Sequence, residues 1–381
     1  MIVIFSTRAP GPIRKGDQTI LDAKIRFFER ANKLLLICPK LDRIERLYFE
    51  QNYSSNCSLL EYERSASDVV KGLFRCLWFK MPFHYASFYS SEARIFLKRT
   101  SIAHSVHFML ARSLINYTGP FNQHSIDFVD SGYLALKKRH VKGFILKLML
   151  YVDSIRSKKF ECRVSGWFKF ASAVSAKDAD AIGRGVVVIP NGVRLAKVRK
   201  QVLTGSSKDR LKLVMTGNFD YPPNIEGAKN AIRYIAGSKF KDNVELSLVG
   251  ISSDKFYQSH YSSSELTVRV SAIGEVEDIH LELSKHDVAL AIINAGTGIQ
   301  NKVLEAFSVG LPVVLTKIVA AGLPMQNTVG TKIVTNQEQF DQSVKFLMDS
   351  ENRKLIAEYN RLHCYQNYNW EIQLNKLSDY I

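Results

Sequence analysis

Val288-Ala289-Leu290-Ala291-Ile292-Ile293-Asn294-Ala295-Gly296-Thr297-Gly298-Ile299-Gln300-Asn301-Lys302-Val303-Leu304-Glu305-Ala306 reads as an apolar strand, a turn with two glycines, and the start of a helix. An unbroken apolar run without alternation is what a strand covered on both faces requires, which points to a parallel sheet between helices. In such sheets, ligands sit beyond the carboxyl ends of the strands, where loops feed helix N-termini. Gly296 and Gly298 let the backbone approach a ligand closely, and the helix start offers free N–H groups to an anion. Lys302 falls in the first helical turn, where the helix dipole disfavours a cation, and a bound anion would remove that conflict. Glu305, three residues on, shares its face. The same residues also fit a plain strand-to-helix turn with an exposed Lys–Glu pair worth ~0.2–0.5 kcal/mol.

Working outward, two more loops of this kind are present. Residues 213–215 lead into Gly217 and Asn218, then Asp220-Tyr221-Pro222-Pro223-Asn224, with proline and a capping residue near a helix start. Val270 leads through Gly274 and Val276 to Asp278. The intervening apolar runs predict strands at 211–215, 244–249, 266–270, 288–293 and 312–315. Helices are expected at 225–236, 276–284, 301–308 and 337–349. The first half alternates similarly, with strands expected at 1–5, 34–37, 105–110, 126–129 and 170–174 and helices at 17–31 and 176–182. Residues 52–98 are aromatic-rich and only loosely placed. A polar linker is expected at 197–210. Strand–helix alternation in both halves predicts two doubly wound α/β domains.

The 381 residues suffice for two domains. Five scattered cysteines with no C-x-x-C pair fit reduced thiols and a cytoplasmic location. Residues 2–5 are followed at once by Ser6, Thr7 and Arg8, which reads as a first strand and not a leader. No apolar run approaches the ~20 residues of a membrane span. The net charge of +16 draws the chain to something anionic: nucleic acid, an acidic bilayer or a phosphorylated substrate. Lys137, Lys138, Arg139, Lys142 and Lys147 interleave with the apolar residues 144–150, a pattern that suits an anionic membrane surface or a half-buried helix. No nucleic-acid-binding signature is present, and no G-x-G-x-x-G follows the first strand. The one D-x-D, Asp178-Ala179-Asp180, sits where acids offset a helix dipole.

Taken together, Gly217 to Asn224, Gly274-Glu275-Val276, Gly296 to Ala306 and Gly310-Leu311-Pro312-Val313-Val314 resemble the family-4 retaining glycosyltransferases, in the branch of bacterial exopolysaccharide and surface-glycan assembly. Order and spacing agree over residues 214–323. Weaker likenesses are Arg8-Ala9-Pro10 with Lys15-Gly16-Asp17, Asp127 to Ser131, Pro190-Asn191-Gly192-Val193 and Tyr368-Asn369-Trp370-Glu371. The resemblance implies a GT-B fold, two Rossmann-like domains facing across a cleft. Residues 1–192, joined by a crossover helix at 366–381, would take the acceptor, and 193–365 would hold a nucleotide-sugar.

Carried over by position, Glu305 would hold the donor ribose, and Gly296, Thr297, Gly298, Ile299, Gln300 and Lys302 would surround the diphosphate and sugar. Val276, next to Gly274, would lie against the base, with Gly217, Asn218 and Asn224 at the neighbouring loop and Gly16 closing over the phosphates. Asp17, His107, Arg112 and Asp130 are acceptor-side candidates, Asp130 with a possible catalytic role; His107 equally fits a buried strand. Two departures stand out. Thr297 replaces a glutamate common in the family, and Asn218 and Asn224 replace a common arginine and lysine, which leaves Lys302 and the helix start to neutralise the leaving diphosphate. The resemblance implies no metal or other cofactor, a glycan or lipid-linked acceptor, and no nucleic-acid partner. A sugar-nucleotide epimerase of the same fold is the alternative.

Overall fold

The computed structural model describes residues 1–12, 16–137, 139, 141, 143–196, 210–261, 268–294, 300–323, 329–378 and 380. By packing, the chain divides into two units, residues 1–191 with 373–381, and residues 192–372.

The first unit runs β1 (Ile2–Phe5), α1 (Gly16–Phe28), β2 (Leu34–Pro39), α2 (Arg43–Asn52), β3 (Cys57–Tyr62), α3 (Ala66–Trp78), α4 (Ser91–Ala103), β4 (Val106–Met109), β5 (Ser125–Asp127), α5 (Gly132–Lys137), α6 (Phe144–Ser165), β6 (Phe170–Ala173), α7 (Ala176–Ile182) and β7 (Val187–Val188). Its seven strands are all parallel, in the order 3-2-1-4-5-6-7. Val3, Ile4, Phe5, Val106 and Phe108 in the central strands are fully buried, as a two-sided sheet demands.

The second unit runs β8 (Leu211–Thr216), α8 (Pro222–Ala236), β9 (Val244–Val249), α9 (Ser253–Tyr261), β10 (Val270–Gly274), α10 (Ile279–Leu283), β11 (Val288–Ala291), α11 (Asn301–Val309), β12 (Val313–Thr316), α12 (Lys317–Ala320), β13 (Thr331–Val334), α13 (Gln337–Met348), α14 (Ser350–Asn367) and α15 (Trp370–Ser378). Of α15, only residues 370–372 belong to this unit, and the rest belongs to the first. The strand order, 10-9-8-11-12-13, is again wholly parallel. The strand order reverses between β8 and β11, as it does between β1 and β4 in the first unit, and the loops leaving those strands open the crevice that ligands use in this topology.

Glycines set how tightly these loops close. In α8, a Cβ at Gly227 would lie 2.7 Å from Ile293 Cγ2 and 2.8 Å from Met215 Cε, so the helix rests directly on the strand ends. At Gly250 (φ +128°) a Cβ would lie 2.1 Å from the Gly217 carbonyl oxygen, which locks the loop after β9 onto the loop after β8. Gly310 ends α11 in the left-handed conformation.

Several elements differ from expectation. The loosely read 52–98 stretch holds β3, α3, a short 3₁₀ turn (Phe83–Phe88) and most of α4. The strand expected at 266–270 is β10, which begins where that segment ends, because Val270, Ser271 and Ala272 pair with Leu246, Ser247 and Leu248 of β9. The helix expected from 276 starts at Ile279, since the Asp278 side chain accepts from the backbone N–H groups of His280 and Leu281. Of the linker expected at 197–210, residues 197–209 lie outside the described residues.

Candidate functional site

Across the reversal point of the second unit, α8 and α11 present their N-termini side by side. Pro222 and Pro223 occupy the first turn of α8, where their missing N–H groups go unneeded. Asn224 follows and is buried. Its amide Nδ2 donates to the Asn218 carbonyl at 2.9 Å, and its Oδ1 accepts from Lys302 Nζ at 2.8 Å. Gly217 makes room for this bridge, since a Cβ there would lie 2.9 Å from Asn224 Nδ2. The Asn218 side chain is turned to its own loop and accepts from the backbone N–H of Asp220.

Lys302 is half-buried in the first turn of α11, and among the described residues its ammonium forms no ion pair. Loss of water pulls its pKa down to about 8, with the nearby Glu305 carboxylate partly opposing that fall. Burial pushes the Glu305 carboxyl up, with Lys302 opposing. A desolvated cation at the positive end of a helix, hydrogen-bonded to a neutral amide, would be stabilised by an anion bound beside it. Gln300 is the half-buried residue preceding α11. Gly296, Thr297, Gly298 and Ile299 lie outside the described residues.

The third loop closes the same edge. Gly274 (φ +84°) donates its N–H to Ser253 Oγ at 3.0 Å and accepts from the Gly250 N–H at 2.7 Å. Its α-carbon faces open space, and Val276 packs half-buried against the unit's core.

At the reversal point of the first unit, Asp17 in the first turn of α1 accepts from Arg8 Nε at 2.6 Å and from Arg112 Nη2 at 3.1 Å. Arg112 also donates to Thr7 Oγ1 and lies over the Phe88 ring at 4.5 Å. This cluster ties the loop after β1 to the loop after β4. Arg8 joins Asp17 and Arg112 here; its part in an ion triad was not foreseen, although Arg8 and Asp17 both fall in the loop singled out from the sequence. Gly16 starts α1, exposed and with open space around it, while Lys15 lies outside the described residues.

Asp130 follows β5 after Val129, which holds a positive φ of 61°. It keeps open surface, yet protein on most sides of the carboxyl pushes its pKa up to about 7, helped by Asp178, Asp127 and Asp17. His107 takes the second of its two expected places. It is fully buried in β4, with Nε2 2.8 Å from Lys24 Nζ and Nδ1 2.9 Å from Ser125 Oγ, and Lys24 donates to Asp127 Oδ2 at 2.6 Å. It therefore has no surface to offer an acceptor. Asp178 accepts from the Ser131 N–H and the Ser175 hydroxyl near the start of α7. Among the described residues, no group of three or more His, Cys, Asp or Glu is placed to hold a metal ion.

Solved structures similar to this chain include glycosyltransferases of the GT-B type. WaaG, described as a glycosyltransferase involved in lipopolysaccharide biosynthesis, superposes with a TM-score of 0.64 at 16% identity, covering 100% of this chain and 99% of its own. Anabaena HepE, solved with UDP and glucose, gives 0.66 at 13% identity over 99% and 98%. Sucrose-phosphate synthase from Thermosynechococcus elongatus gives 0.67 at 13% identity over 99% and 97%. The fold is therefore GT-B, with two Rossmann-like parallel sheets, as the family resemblance implied. Residues 210–350 match the family "Glycosyl transferases group 1", so the matched segment contains the Lys302 site. Comparison with curated proteins gave no match.

Proposed function

We propose that the protein is a retaining glycosyltransferase that moves a sugar from a nucleotide-sugar donor to a glycan or lipid-linked acceptor, in the assembly of a bacterial surface polysaccharide. The observation that carries this reading is Lys302, a half-buried ammonium at the start of α11 with a neutral partner. The bond between the anomeric carbon and the diphosphate oxygen breaks, and the negative charge that develops on that oxygen is what Lys302 and the N–H groups of α11 stabilise. The acceptor oxygen bonds to the same carbon, and its proton passes to the departing phosphate. Glu305 accepts from the ribose hydroxyls. Asn224, where the resembled family often has lysine, holds the Lys302 ammonium in place by its amide oxygen. Fold likeness to HepE, whose structure contains UDP, supports a uridine nucleotide as the first donor to try.

Replacing Lys302 by alanine is expected to lower kcat at least tenfold, about 1.4 kcal/mol on the barrier. Turnover with UDP-, GDP-, dTDP- and CMP-sugars, paired with thermal shifts, identifies the donor, since a ligand at 100 times its Kd stabilises by ~2.7 kcal/mol. Wild-type turnover in folded Lys302→Ala would refute the assignment. Conversion of the donor without an acceptor would show an epimerase instead. The site is expected to work in the cytoplasm, at the inner face of the membrane.

A further inference from the structure

Two helices of the first unit are built inside out. The buried face of α3 carries Asp68, Gly72, Arg75 and Cys76, while Phe74 (68% exposed), Leu77 and Trp78 (83% exposed) face outward with Val70 and Leu73. The inner face is held by polar contacts. Asp68 accepts from the Ser91 hydroxyl at 2.6 Å, Arg75 donates to the Ile115 carbonyl at 2.8 Å, and a Cβ on Gly72 would lie 2.5 Å from the Ala86 carbonyl oxygen. The first two turns of α6 repeat the theme. Phe144, Ile145, Leu148, Met149 and Tyr151 are exposed, and the first buried residue is Asp153, which accepts from the backbone N–H groups of Phe83 and His84. The two helices meet directly. Arg156 donates to the carbonyls of Met81 and Cys76, and Arg163 to that of Phe79, so the second half of α6 is fixed against the end of α3 and its apolar first two turns extend from that junction.

Charge selects what covers this surface. Lys and Arg outnumber Asp and Glu 31 to 17 in the first unit but only 21 to 19 in the second, so nearly all of the net charge belongs to the unit carrying the apolar helices. The acids of these two helices, Asp68, Asp153 and Glu161, are all buried, whereas Lys147, Lys158, Lys159 and Arg163 are exposed. A 760 Å³ pocket beside α5 and α6 is lined by Lys137, Lys158, Lys159 and Arg163 with Tyr133 and Tyr151. A second copy meeting this face about a twofold axis would bring like charges together. An anionic bilayer takes both parts, the apolar side chains at the level of the acyl chains and the cations at the lipid phosphates.

We infer that the first unit docks on anionic membranes through the outward faces of α3 and the start of α6, with lipid phosphate in the neighbouring cationic pocket. This docking stands apart from the donor chemistry, and its test uses no nucleotide. The full-length protein is sedimented with vesicles of phosphatidylcholine alone, or of phosphatidylcholine mixed with phosphatidylglycerol. Binding is expected only to the mixed vesicles and is expected to weaken with salt, by about fivefold for each of Lys147, Lys158 and Lys159 replaced by glutamine. Phe74→Ser with Met149→Ser, both at exposed positions, is expected to abolish binding with an unchanged circular dichroism spectrum. Brominated lipid is expected to quench wild-type fluorescence, and Trp78→Phe to lose most of that quenching while still binding. Absence of wild-type binding to mixed vesicles overturns the inference, as does a concentration-dependent dimer that the same serine substitutions dissociate. Inorganic phosphate or soluble glycerol phosphate competing as well as vesicles would assign the pocket to a free anion and overturn the lipid part.

Discussion

Replacing Lys302 with methionine tests whether this ammonium is held at a cost to the fold. Its fall from the ordinary 10.5 to about 8 corresponds, at ~1.4 kcal/mol per tenfold in proton affinity, to an upper limit of about 3–4 kcal/mol of destabilisation in the folded state. The folded chain binds the proton less tightly than the unfolded chain, so the penalty is fully present below pH 8. It is relieved as pH rises from about 8 toward 10.5, where the unfolded state holds more protons and stability therefore increases with pH. Methionine keeps the stem and removes the charge, giving up the hydrogen bond to Asn224, worth about 1 kcal/mol. The net gain at pH 7 is expected to be about 1–2 kcal/mol, or several degrees in Tm, shrinking toward zero near pH 10. Donor turnover should fall at least tenfold in the same protein. Thermal unfolding of wild type and Lys302→Met across this pH range, together with initial rates at pH 7, measures both. A variant that is less stable at pH 7, with a deficit independent of pH, would show that Lys302 is an ordinary structural lysine.

Asn224→Asp sets a carboxylate against Lys302 and neutralises it; nucleotide-diphosphate affinity, read by calorimetry, is expected to fall further than in Asn224→Ala. In wild type, donor affinity should decline above about pH 8 as the ammonium loses its proton, and Asn224→Asp should move that decline to higher pH. Gly227→Ala forces a methyl group against Ile293 and Met215 and is expected to destabilise the chain by about 1–3 kcal/mol in urea unfolding. If Asp130 acts on the acceptor, the rate profile contains a group titrating near 7 that Asp130→Asn removes without changing donor affinity.

The second unit was legible because its central strands are largely apolar and β8, β9 and β10 end at or just before Gly217, Gly250 and Gly274, and β11 and α11 begin at Val288 and Asn301, where the sequence places them. Edge elements were harder. β13 is four residues, two of them polar, and β3 carries Glu61 for a salt bridge with Arg46. The helix α3 escaped because its apolar residues face outward, which inverts the pattern used to find a core-facing helix. Within the site, the sequence placed Lys302, Asn224 and Gly217 at neighbouring loops, while the Lys302–Asn224 bond joins residues 78 positions apart and has no local signature. The Lys24–Asp127–His107 network is likewise a product of strand order. Three titratable side chains from α1, β4 and β5 meet only once the sheet has formed.

The uneven distribution of lysine and arginine between the two units has a practical side. On a cation-exchange column, retention would be governed by the first unit, and a truncation at residue 191 would elute nearly where the intact chain does. Amine coupling to a carboxylated sensor chip would concentrate the protein by that same half, leaving the nearly neutral half that bears Lys302 free to meet a nucleotide in the flow.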